Sequence, residues 1–471
     1  MSSKLIQIKT LKQYLKQKDV KKLRALFDRF HIIDLATLVN HLDHPEDLLF
    51  IFRTCNSDHT AELFSHLSTE QQEKLIHIFT DKQLIDLLNH SYQDDIADFL
   101  SDMPANLVSK ILKVADPSLR QEINILLNYK PNSAGSIMTT EYITIPENST
   151  IGEALEKIRK TGRDKETIYS NFIVDQNRFL KGIIYIEDVV FHESNQLVKD
   201  VMNQDFIFCQ VHTDQEEVSQ LFKRYDLSVI PVLNESKHLV GIITIDDIVD
   251  VIEREASEDI LKMAAIKPLE DSYKATSPID IAKKSLPWIL GLMVIGAIST
   301  ITINQFESVF QQVIVLTAFI PLIMNTGGNA GNQSIAIITR AIATHELSEK
   351  DTKLIVNKEL VTATVMAIIT GIFSFVWISL LLSIGIIKFQ SNATLFSSDW
   401  FFDIMNVAGL VAATLFFSVF IAKLFGSLLP LLALKIKKDP AMMSSPFLTT
   451  IMDFSSLLIY FVLANFLFNF F

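Results

Sequence analysis

Residues 443–468 read MSSPFLTTIMDFSSLLIYFVLANFLF, a long apolar run in which Asp453 is the single charged residue. The run is long enough for a helix that crosses the roughly 30 Å of hydrocarbon in a bilayer. A carboxylate near the centre of such a helix costs about 2.5–3.5 kcal/mol on insertion scales. The stretch therefore predicts a transmembrane helix, and the charge inside it predicts a role beyond anchoring.

Four more apolar segments precede this one, so we expect a helical membrane domain with five transmembrane helices over residues 285–471. The predicted spans are 288–303, 309–338 with a break inside, 360–387, 404–429 and 445–470. Because the chain has 471 residues and a mean hydropathy of only +0.29, the rest of it must form soluble domains. The predicted fold class is multi-domain, with an all-α helical-repeat N-domain, an α/β pair and the membrane domain.

Basic residues mark the connections that follow the second and fourth predicted spans. They are Arg340, Lys350, Lys353, Lys358, Lys435, Lys437 and Lys438. The positive-inside rule places these connections in the cytosol. The N-terminus lacks the apolar run of a signal peptide, so the soluble domains are expected in the cytosol as well. Five spans then put the C-terminus outside, in a multi-pass protein of the plasma membrane.

The segment FIPLIMNTGGNAGNQSIAIITRAIA, residues 319–343, is rich in glycine and amides for a membrane segment. Its Asn325, Asn329 and Asn332 share one helical face. Its glycines weaken a helix, and irregular backbone at membrane depth occurs only where it is buried in protein or lines a water-filled cavity. Two interpretations stay open: close packing of small residues with amides bonded between helices, and a pore.

The fifth span carries a matching polar face, formed by Thr449, Thr450, Asp453 and Ser456 at helical spacing. A structural role for Asp453 would need a buried basic partner, and Lys423 is the only basic residue within the predicted spans. We favour a path for cations over this salt bridge.

Residues 1–134 are rich in leucine, poor in glycine and predicted to be helical throughout. A loose motif recurs as DLATLVNHL, HTAELFSHL and DIADFLSDM, which predicts stacked helical hairpins. The third copy contains Asp95 and Asp98. An acidic cluster of this kind is either a solvated helix face or a metal site.

Two copies of a strand–helix–strand–strand–helix pattern follow, at 135–198 and 199–253. They resemble a tandem pair of CBS domains, a regulatory module that often binds adenosyl ligands. The resemblance implies that Thr244 and Asp247, in the stretch GIITIDD, contact a ribose. The first copy has Tyr185 in place of the threonine, so at most one nucleotide site, for a ligand such as ATP, is expected.

An acidic connecting helix is predicted over residues 254–284, and seven carboxylates crowd the stretch from residue 246 to residue 259. Such a run repels itself unless cations bind it, so metal sensing is weighed against a solvated helix face. The net charge of −12 lies in residues 1–284, since residues 285–471 contain nine acidic and nine basic residues. This acidity disfavours nucleic acid as a partner and favours cations.

The order of these domains resembles that of MgtE-type magnesium channels over essentially the whole chain. The motifs that carry the resemblance are PLIMNTGGNAGNQS, EREASEDILKM and DPAMMSSPFLTTIMD. It implies a homodimer whose pore runs along the two-fold axis, where Asp453 faces its twin and holds hydrated magnesium. Ser445 stands where some members have asparagine at the cytosolic mouth, so an amide contact to the ion is expected to be shortened or lost there.

The resemblance also implies cytosolic magnesium sites. They comprise Asp214, Glu216, Asp226, Asp247, Asp250, Glu255, Glu258 and Asp259, with Asp95 or Asp98 as the N-domain carboxylate. Magnesium dehydrates reluctantly and usually keeps several waters. A ring of two Asp453 carboxylates and the Asn332 amides therefore suits a hydrated ion better than a bare one.

The expected function is a Mg²⁺-selective channel that intracellular Mg²⁺ closes through the acidic cytosolic sites. The alternatives are a CBS-regulated membrane receptor and a transporter of other divalent cations. An enzyme is not expected, since the sequence has no Ser/His/Asp order, Walker loop or HExxH motif.

Overall fold

A computed structural model describes the chain except for residues 1, 43, 56, 102, 270–272, 274–275, 307–312, 345, 388–397, 437–438, 441–444 and 469–471. The described chain forms two compact units, Met1–Glu255 and Ala256–Phe471. Lys437, Lys438 and parts of the second and fifth predicted spans (309–312 and 469–470) lie outside the described residues.

The first unit begins with ten short helices. They are α1 (Ser2–Gln17), α2 (Val20–Phe27), α3 (Ile32–Val39), α4 (Pro45–Thr54), α5 (Ser57–Ser65), α6 (Thr69–Ile78), α7 (Asp81–His90), α8 (Gln93–Ser101), α9 (Ala105–Val114) and α10 (Pro117–Leu127). Most of them pack on the helix two positions further along, as α3 does on α5 and α5 on α7. Helices this short are marginal in isolation, and one shared core of leucine, isoleucine and phenylalanine side chains stabilises them. The predicted helical-repeat N-domain is confirmed.

Two three-stranded sheets of the same topology follow. The strands are β1 (Thr144–Pro146), β2 (Ser170–Val174), β3 (Leu180–Tyr185), β4 (Cys209–Gln210), β5 (Val229–Leu233) and β6 (Leu239–Thr244). In each sheet the first strand is parallel to the second and the second antiparallel to the third. The helices around them are α11 (Ile151–Thr161), α12 (Ile186–Phe191), α13 (Val198–Val201) and α14 (Gln215–Tyr225). This arrangement confirms the predicted α/β repeat.

Each copy of the repeat packs a methionine on a glycine of the other copy. A Cβ on Gly241 would lie 2.5 Å from the Met138 Sδ, and one on Gly182 would lie 2.8 Å from the Met202 Sδ. The residue after each methionine pairs with the strand that contains that glycine. The segments that open the two predicted domains are therefore exchanged between the sheets, which ties the copies into one pair.

Helix α15 (Ile245–Met263) starts directly after β6 and carries the acidic stretch. It ends much earlier than the connecting helix predicted over 254–284, and the described residues between Met263 and Pro278 are not helical. Ala265 adopts a left-handed φ of 60°, and the Ile266 N–H donates to the Leu261 carbonyl. This closure is a common way for a helix to end.

Five long apolar helices form the second unit. They are α16 (Pro278–Gln305), α17 (Ile320–Ala343), α18 (Thr352–Ser383), α19 (Ser398–Lys435) and α20 (Ser445–Phe468), and a 3₁₀ turn (Ile314–Phe319) precedes α17. By length and composition all five spans can cross a membrane, which confirms the predicted membrane domain. Helix α16 begins before Pro287, which lies inside it.

The predicted break within the second span is wrong for its glycine-rich stretch. Helix α17 is continuous through Gly327 and Gly331, and the irregular backbone lies before it, in the 3₁₀ turn. The glycines serve close packing instead. A Cβ on Gly331 would lie 2.5 Å from Leu448 Cδ2, and one on Gly327 would lie 2.7 Å from Ser456 Oγ. Small residues let membrane helices approach in this way, and here they seat α17 against α20.

Candidate functional site

Asn332 of α17 and Thr449 of α20 join the polar faces of two membrane helices. The Asn332 Nδ2 donates a hydrogen bond to Thr449 Oγ1 (3.1 Å), and that hydroxyl donates to the Ser445 carbonyl (3.0 Å). The Asn332 Oδ1 is buried and has no hydrogen-bond partner among the described residues. A buried acceptor of this kind usually bonds a water or a ligand. On the same face, Asn329 Nδ2 donates to Asn325 Oδ1 (3.1 Å).

Asp453 lies one helical turn beyond Thr449 on α20 and is half-buried within a single chain. Among the residues that the structure describes, no basic side chain forms an ion pair with it. Lys423, the predicted alternative partner, is buried on α19 and forms no ion pair with Asp453 among the described residues. Within the described part of the chain, Asp453 thus has no basic counter-charge, which is the arrangement that a cation site needs.

The first unit contains a small acidic cavity between α8 and α15. It is lined by Asp95, Asp98, Asp247, Asp250 and Arg254, with Ile137 and Val251. Its volume is about 40 Å³, which is room for about one water molecule. Two candidate residues of the N-domain and two of the second repeat therefore meet at one place.

The carboxylates of this cavity crowd one another, and burial together with this crowding raises the pKa of Asp95. Its pKa is raised to about 7, first by burial and then by the negative charges of Asp247 and Asp98. Both causes disfavour the ionised carboxyl. A cation in the cavity would favour the ionised form, so the site gains from binding either a proton or a metal ion near neutral pH.

The carboxylates that line the cavity suit magnesium as ligands, but a volume of about 40 Å³ does not enclose the ion with its full water shell in this arrangement. Mg²⁺ usually keeps several waters and takes only one or two carboxylates. In the described part of the chain, no three His, Cys, Asp or Glu side chains are arranged to hold a metal ion directly. More widely spaced carboxylates can still accept hydrogen bonds from metal-bound water.

The remaining predicted residues of the second repeat divide between the two ends of α14. Asp214 caps the helix by accepting a hydrogen bond from the Glu216 N–H (3.0 Å), and Gln215 Nε2 donates to Glu255 Oε1 (2.6 Å). Asp226 caps the opposite end with a left-handed φ of 50°. The helix is about 16 Å long. Within one chain, Asp226 therefore cannot share an ion with Asp214, Glu216 or Glu255, which lie at the other end of α14.

Glu258 shares a lysine with the loop before α20. The Lys262 Nζ lies 2.6 Å from Glu258 Oε1 and 2.8 Å from Asp439 Oδ2. Burial opposes the charged lysine, but the hydrogen bonds to Asp439 and Glu258 outweigh it and raise the pKa of Lys262. Asp259 follows Glu258 on the same helix. Sequence reasoning missed Lys262 and Asp439. The i,i+4 spacing of Glu258 and Lys262 on one helix could have indicated their ion pair. No pattern in the sequence links Lys262 to Asp439.

The predicted nucleotide residues lie side by side at the junction of β6 and α15. The buried Thr244 donates a hydrogen bond from Oγ1 to Asp247 Oδ2 (2.9 Å). Tyr185 ends β3 at the equivalent place in the first copy, and its N–H is bonded by Asp188 (3.4 Å). Asp247 also lines the acidic cavity, so one carboxylate borders both candidate sites.

Family models match three parts of the chain. The MgtE divalent cation transporter model matches residues 320–463, the MgtE intracellular N domain model matches 30–132, and the CBS domain model matches 134–195 and 198–254.

Two curated relatives match along almost their entire lengths. The magnesium transporter MgtE of Thermus thermophilus is 32% identical over 464 residues, which cover 97% of this chain and 98% of that protein. The magnesium transporter MgtE of Bacillus subtilis is 32% identical over 450 residues, 92% of this chain and 94% of that protein. The crystal structure of the soluble part of a magnesium transporter is 30% identical, with a TM-score of 0.50, and covers 54% of this chain and 99% of that one.

Proposed function

The chain belongs to the MgtE family of divalent cation transporters, a family of transporters and not of enzymes, and from that premise we propose that it is a Mg²⁺-selective channel of the plasma membrane. In this proposal two copies form a homodimer with one pore along the two-fold axis. The soluble domains lie in the cytosol, the C-terminus lies outside, and cytosolic Mg²⁺ closes the pore.

The half-buried Asp453, without a basic partner among the described residues, is the observation that carries the proposal. Ionisable residues inside membrane helices are costly and usually mark an ion path. Two copies of Asp453 across a two-fold axis would offer two negative charges to one divalent ion. The free Oδ1 of Asn332 adds a hydrogen-bond acceptor for the water that Mg²⁺ retains.

Ion uptake into liposomes that contain the purified chain tests this function. We expect the wild type to carry Mg²⁺ in preference to Ca²⁺ and Na⁺, and Asp453→Asn to impair both rate and preference, because its amide lacks the charge that binds the ion. Asp403→Asn makes the same chemical change on α19, a helix that carries neither of the two polar faces, and is expected to behave as wild type.

The same assay separates the alternatives. A properly inserted wild-type chain that carries no divalent cation would support a receptor. Uptake of Mn²⁺, Co²⁺ or Ni²⁺ at rates equal to that of Mg²⁺ would support a transporter of divalent cations in general.

We propose that Mg²⁺ closes the channel by relieving repulsion among the cytosolic carboxylates. When Mg²⁺ is scarce, the carboxylates of the acidic cavity and of the N-terminal end of α14 repel one another and the carboxylates of the second copy in the dimer. When Mg²⁺ is plentiful, bound ions bridge these carboxylates. A ligand shifts such an equilibrium only through its preference for one state, and a near-complete switch needs about 5.5 kcal/mol, which several weak sites together can supply. Helix α15 carries these carboxylates and also Lys262, which is bonded to Asp439 before α20.

An adenosyl ligand such as ATP is proposed at the second CBS copy. The hydrogen bond between Thr244 and Asp247 presents a hydroxyl and a carboxylate together, as recognition of a ribose requires. Because Asp247 also lines the acidic cavity, nucleotide and Mg²⁺ are expected to influence each other's affinity.

The proposed orientation is tested by cysteine labelling in a chain whose Cys55 and Cys209 are replaced by alanine. A cysteine added after Phe471 should react from outside, and Ser2→Cys should react only from the cytosolic side. Reaction of both from the same side would contradict an odd number of spans.

A further inference from the structure

Two buried charges lie in the membrane helices at positions that the proposed pore does not use. Glu359 on α18 is 7% exposed and Lys423 on α19 is 2% exposed within one chain. A charge in a membrane helix is costly and almost always faces the protein interior, pairs with another group or marks an ion path. These two residues therefore call for an explanation beyond packing.

Glu359 is bonded to the helix that carries Asn332. The Ser334 hydroxyl of α17 donates a hydrogen bond to Glu359 Oε2 (2.8 Å), and Lys423 is the buried residue of opposite charge on α19. Ser334 is two residues from Asn332, which is about 200° around the helix. The buried pair thus adjoins the side of α17 opposite to the polar face.

The backbones of α17 and α19 come close together beside Lys423. A Cβ added to Gly331 would lie 3.1 Å from the carbonyl oxygen of Ala422, the residue before Lys423. Packed helices have axes about 8–10 Å apart. The pair therefore lies about one helix thickness behind the face that carries Asn332.

We propose that Glu359 and Lys423 set how tightly the pore binds its cation, each through the sign of its charge. The proposal rests on the pore function of Asp453. At this separation, in a medium of low dielectric, a buried charge still acts on a divalent ion. Glu359 strengthens cation binding and Lys423 weakens it. A pore must bind an ion firmly enough to admit it and weakly enough to release it. Because the charges of Glu359 and Lys423 cancel, the affinity for the cation stays near the value that Asp453 alone sets.

A purely structural pair would behave differently. Removing either partner of such a pair leaves one buried unpaired charge, so both single substitutions damage the protein in the same way. Opposite effects of the two substitutions on cation affinity are expected only if the sign of each charge acts on the ion.

The test measures the Mg²⁺ concentration that gives half-maximal flux through the full chain in liposomes. We expect Glu359→Gln to raise this concentration about tenfold and Lys423→Met to lower it about tenfold. The double variant, which removes both charges, is expected within about twofold of wild type. Ser334→Ala removes the hydrogen bond but neither charge and should shift it little. Lys358→Met, at the exposed neighbour of Glu359, is the matched control and should leave it unchanged.

Shifts of both single variants in the same direction, or no shift in either, overturn the proposal. If one of them fails to insert, Glu359→Ser or Lys423→Gln replaces it with the same expected direction. Failure of all these neutral variants to insert also overturns it, because the pair then serves folding. Asp453→Asn in the same liposomes separates the two claims: if it keeps the preference for Mg²⁺, the pore assignment has failed, and if it loses that preference, only the claim about the pair is at stake.

Discussion

The second unit, which contains the five apolar helices, and the first unit hold their carboxylates in opposite ways. On α20 a single carboxylate, Asp453, lies inside an apolar helix with no basic partner among the described residues. In the acidic cavity four carboxylates, on α8 and α15, surround about 40 Å³ with one arginine. Isolation in the bilayer makes the first carboxylate costly, and crowding makes the others costly. A divalent cation relieves both costs.

Under the proposed function, the contrast accounts for one kind of ion serving as cargo at one place and as signal at the other. A lone carboxylate per chain, with hydrogen-bond acceptors for a water shell, binds an ion that can also leave. A crowded group is expected to bind more firmly as an ion bridges more of its carboxylates, so in the proposed gating its occupancy biases the arrangement of the soluble domains.

The strongest way to break this contrast is to remove the crowding. Neutralising the five carboxylates of the set Asp247, Asp250, Glu255, Glu258 and Asp259 should abolish the Mg²⁺ dependence of protease protection. The cytosolic domains then either stay closed without Mg²⁺ or no longer respond to it. The readout is limited proteolysis of the full chain over a Mg²⁺ titration, together with inhibition of flux.

A matched variant controls for the loss of negative charge itself. It neutralises the five exposed carboxylates Glu156, Glu187, Glu193, Asp200 and Glu235. Wild-type protection is expected in this control. Wild-type Mg²⁺-dependent protection in the first variant would place the sensor elsewhere in the chain.

Asp95 tests the crowding in the acidic cavity, because its ionisation makes the stability of the first unit depend on pH. Its folded pKa of about 7 lies above the ordinary value of 3.8, so ionisation opposes folding. The penalty is fully present above about pH 7 and disappears as the pH falls from about 7 to about 4, and its upper bound is about 4 kcal/mol. Without Mg²⁺, Asp95→Asn should therefore stabilise the first unit at pH 8 and flatten its stability between pH 4 and 7.

Thermal unfolding of the full chain in detergent measures this effect, with Asp34→Asn on an exposed face of α3 as the control. Mg²⁺ should stabilise the wild type more than Asp95→Asn at pH 8, because the variant has one charge fewer to offer. An unchanged pH profile would mean that Asp95 is not part of the crowded group.

Gly331 tests the packing of the second unit, because this glycine lets α17 lie close to α19 and α20. Gly331→Ala would place a methyl group against Leu448 and the Ala422 carbonyl, and we expect a loss of about 1–3 kcal/mol together with weaker flux. Gly291→Ala, on α16 with no atom within 4 Å of its Cβ, is the control and should have no such effect. Equal stability of the two variants would contradict the role of close packing.

Thr244→Val is expected to have the smallest effect. It removes the hydrogen bond to Asp247 and a proposed ribose contact, so ATP affinity should fall about tenfold, as for the loss of one hydrogen bond to a charged group. Calorimetry on the full chain with ATP measures it, and Thr54→Val, at a buried threonine on α4 of the N-domain, is the control. Equal affinity in both variants would remove the nucleotide site from this junction.

Sequence patterns predicted whatever depends on local periodicity. Hydropathy placed five spans, leucine spacing indicated the helical repeat, and the lone charge of Asp453 stood out from its apolar surroundings. The predicted break failed because glycine has two uses in a membrane helix, and only the contact with Leu448 shows which one applies. The bonds of Lys262 to Asp439 and of Ser334 to Glu359 join distant parts of the chain, which local pattern cannot reveal.

The central claim is that the Asp453 charge binds the permeating ion. The most direct measurement compares Mg²⁺ and Ca²⁺ uptake into liposomes for the wild type, Asp453→Asn and Asp453→Glu at equal protein density. We predict that Asp453→Asn loses the preference for Mg²⁺, whereas Asp453→Glu, which keeps the charge on a longer side chain, retains Mg²⁺ uptake. A wild-type preference in Asp453→Asn would contradict the account.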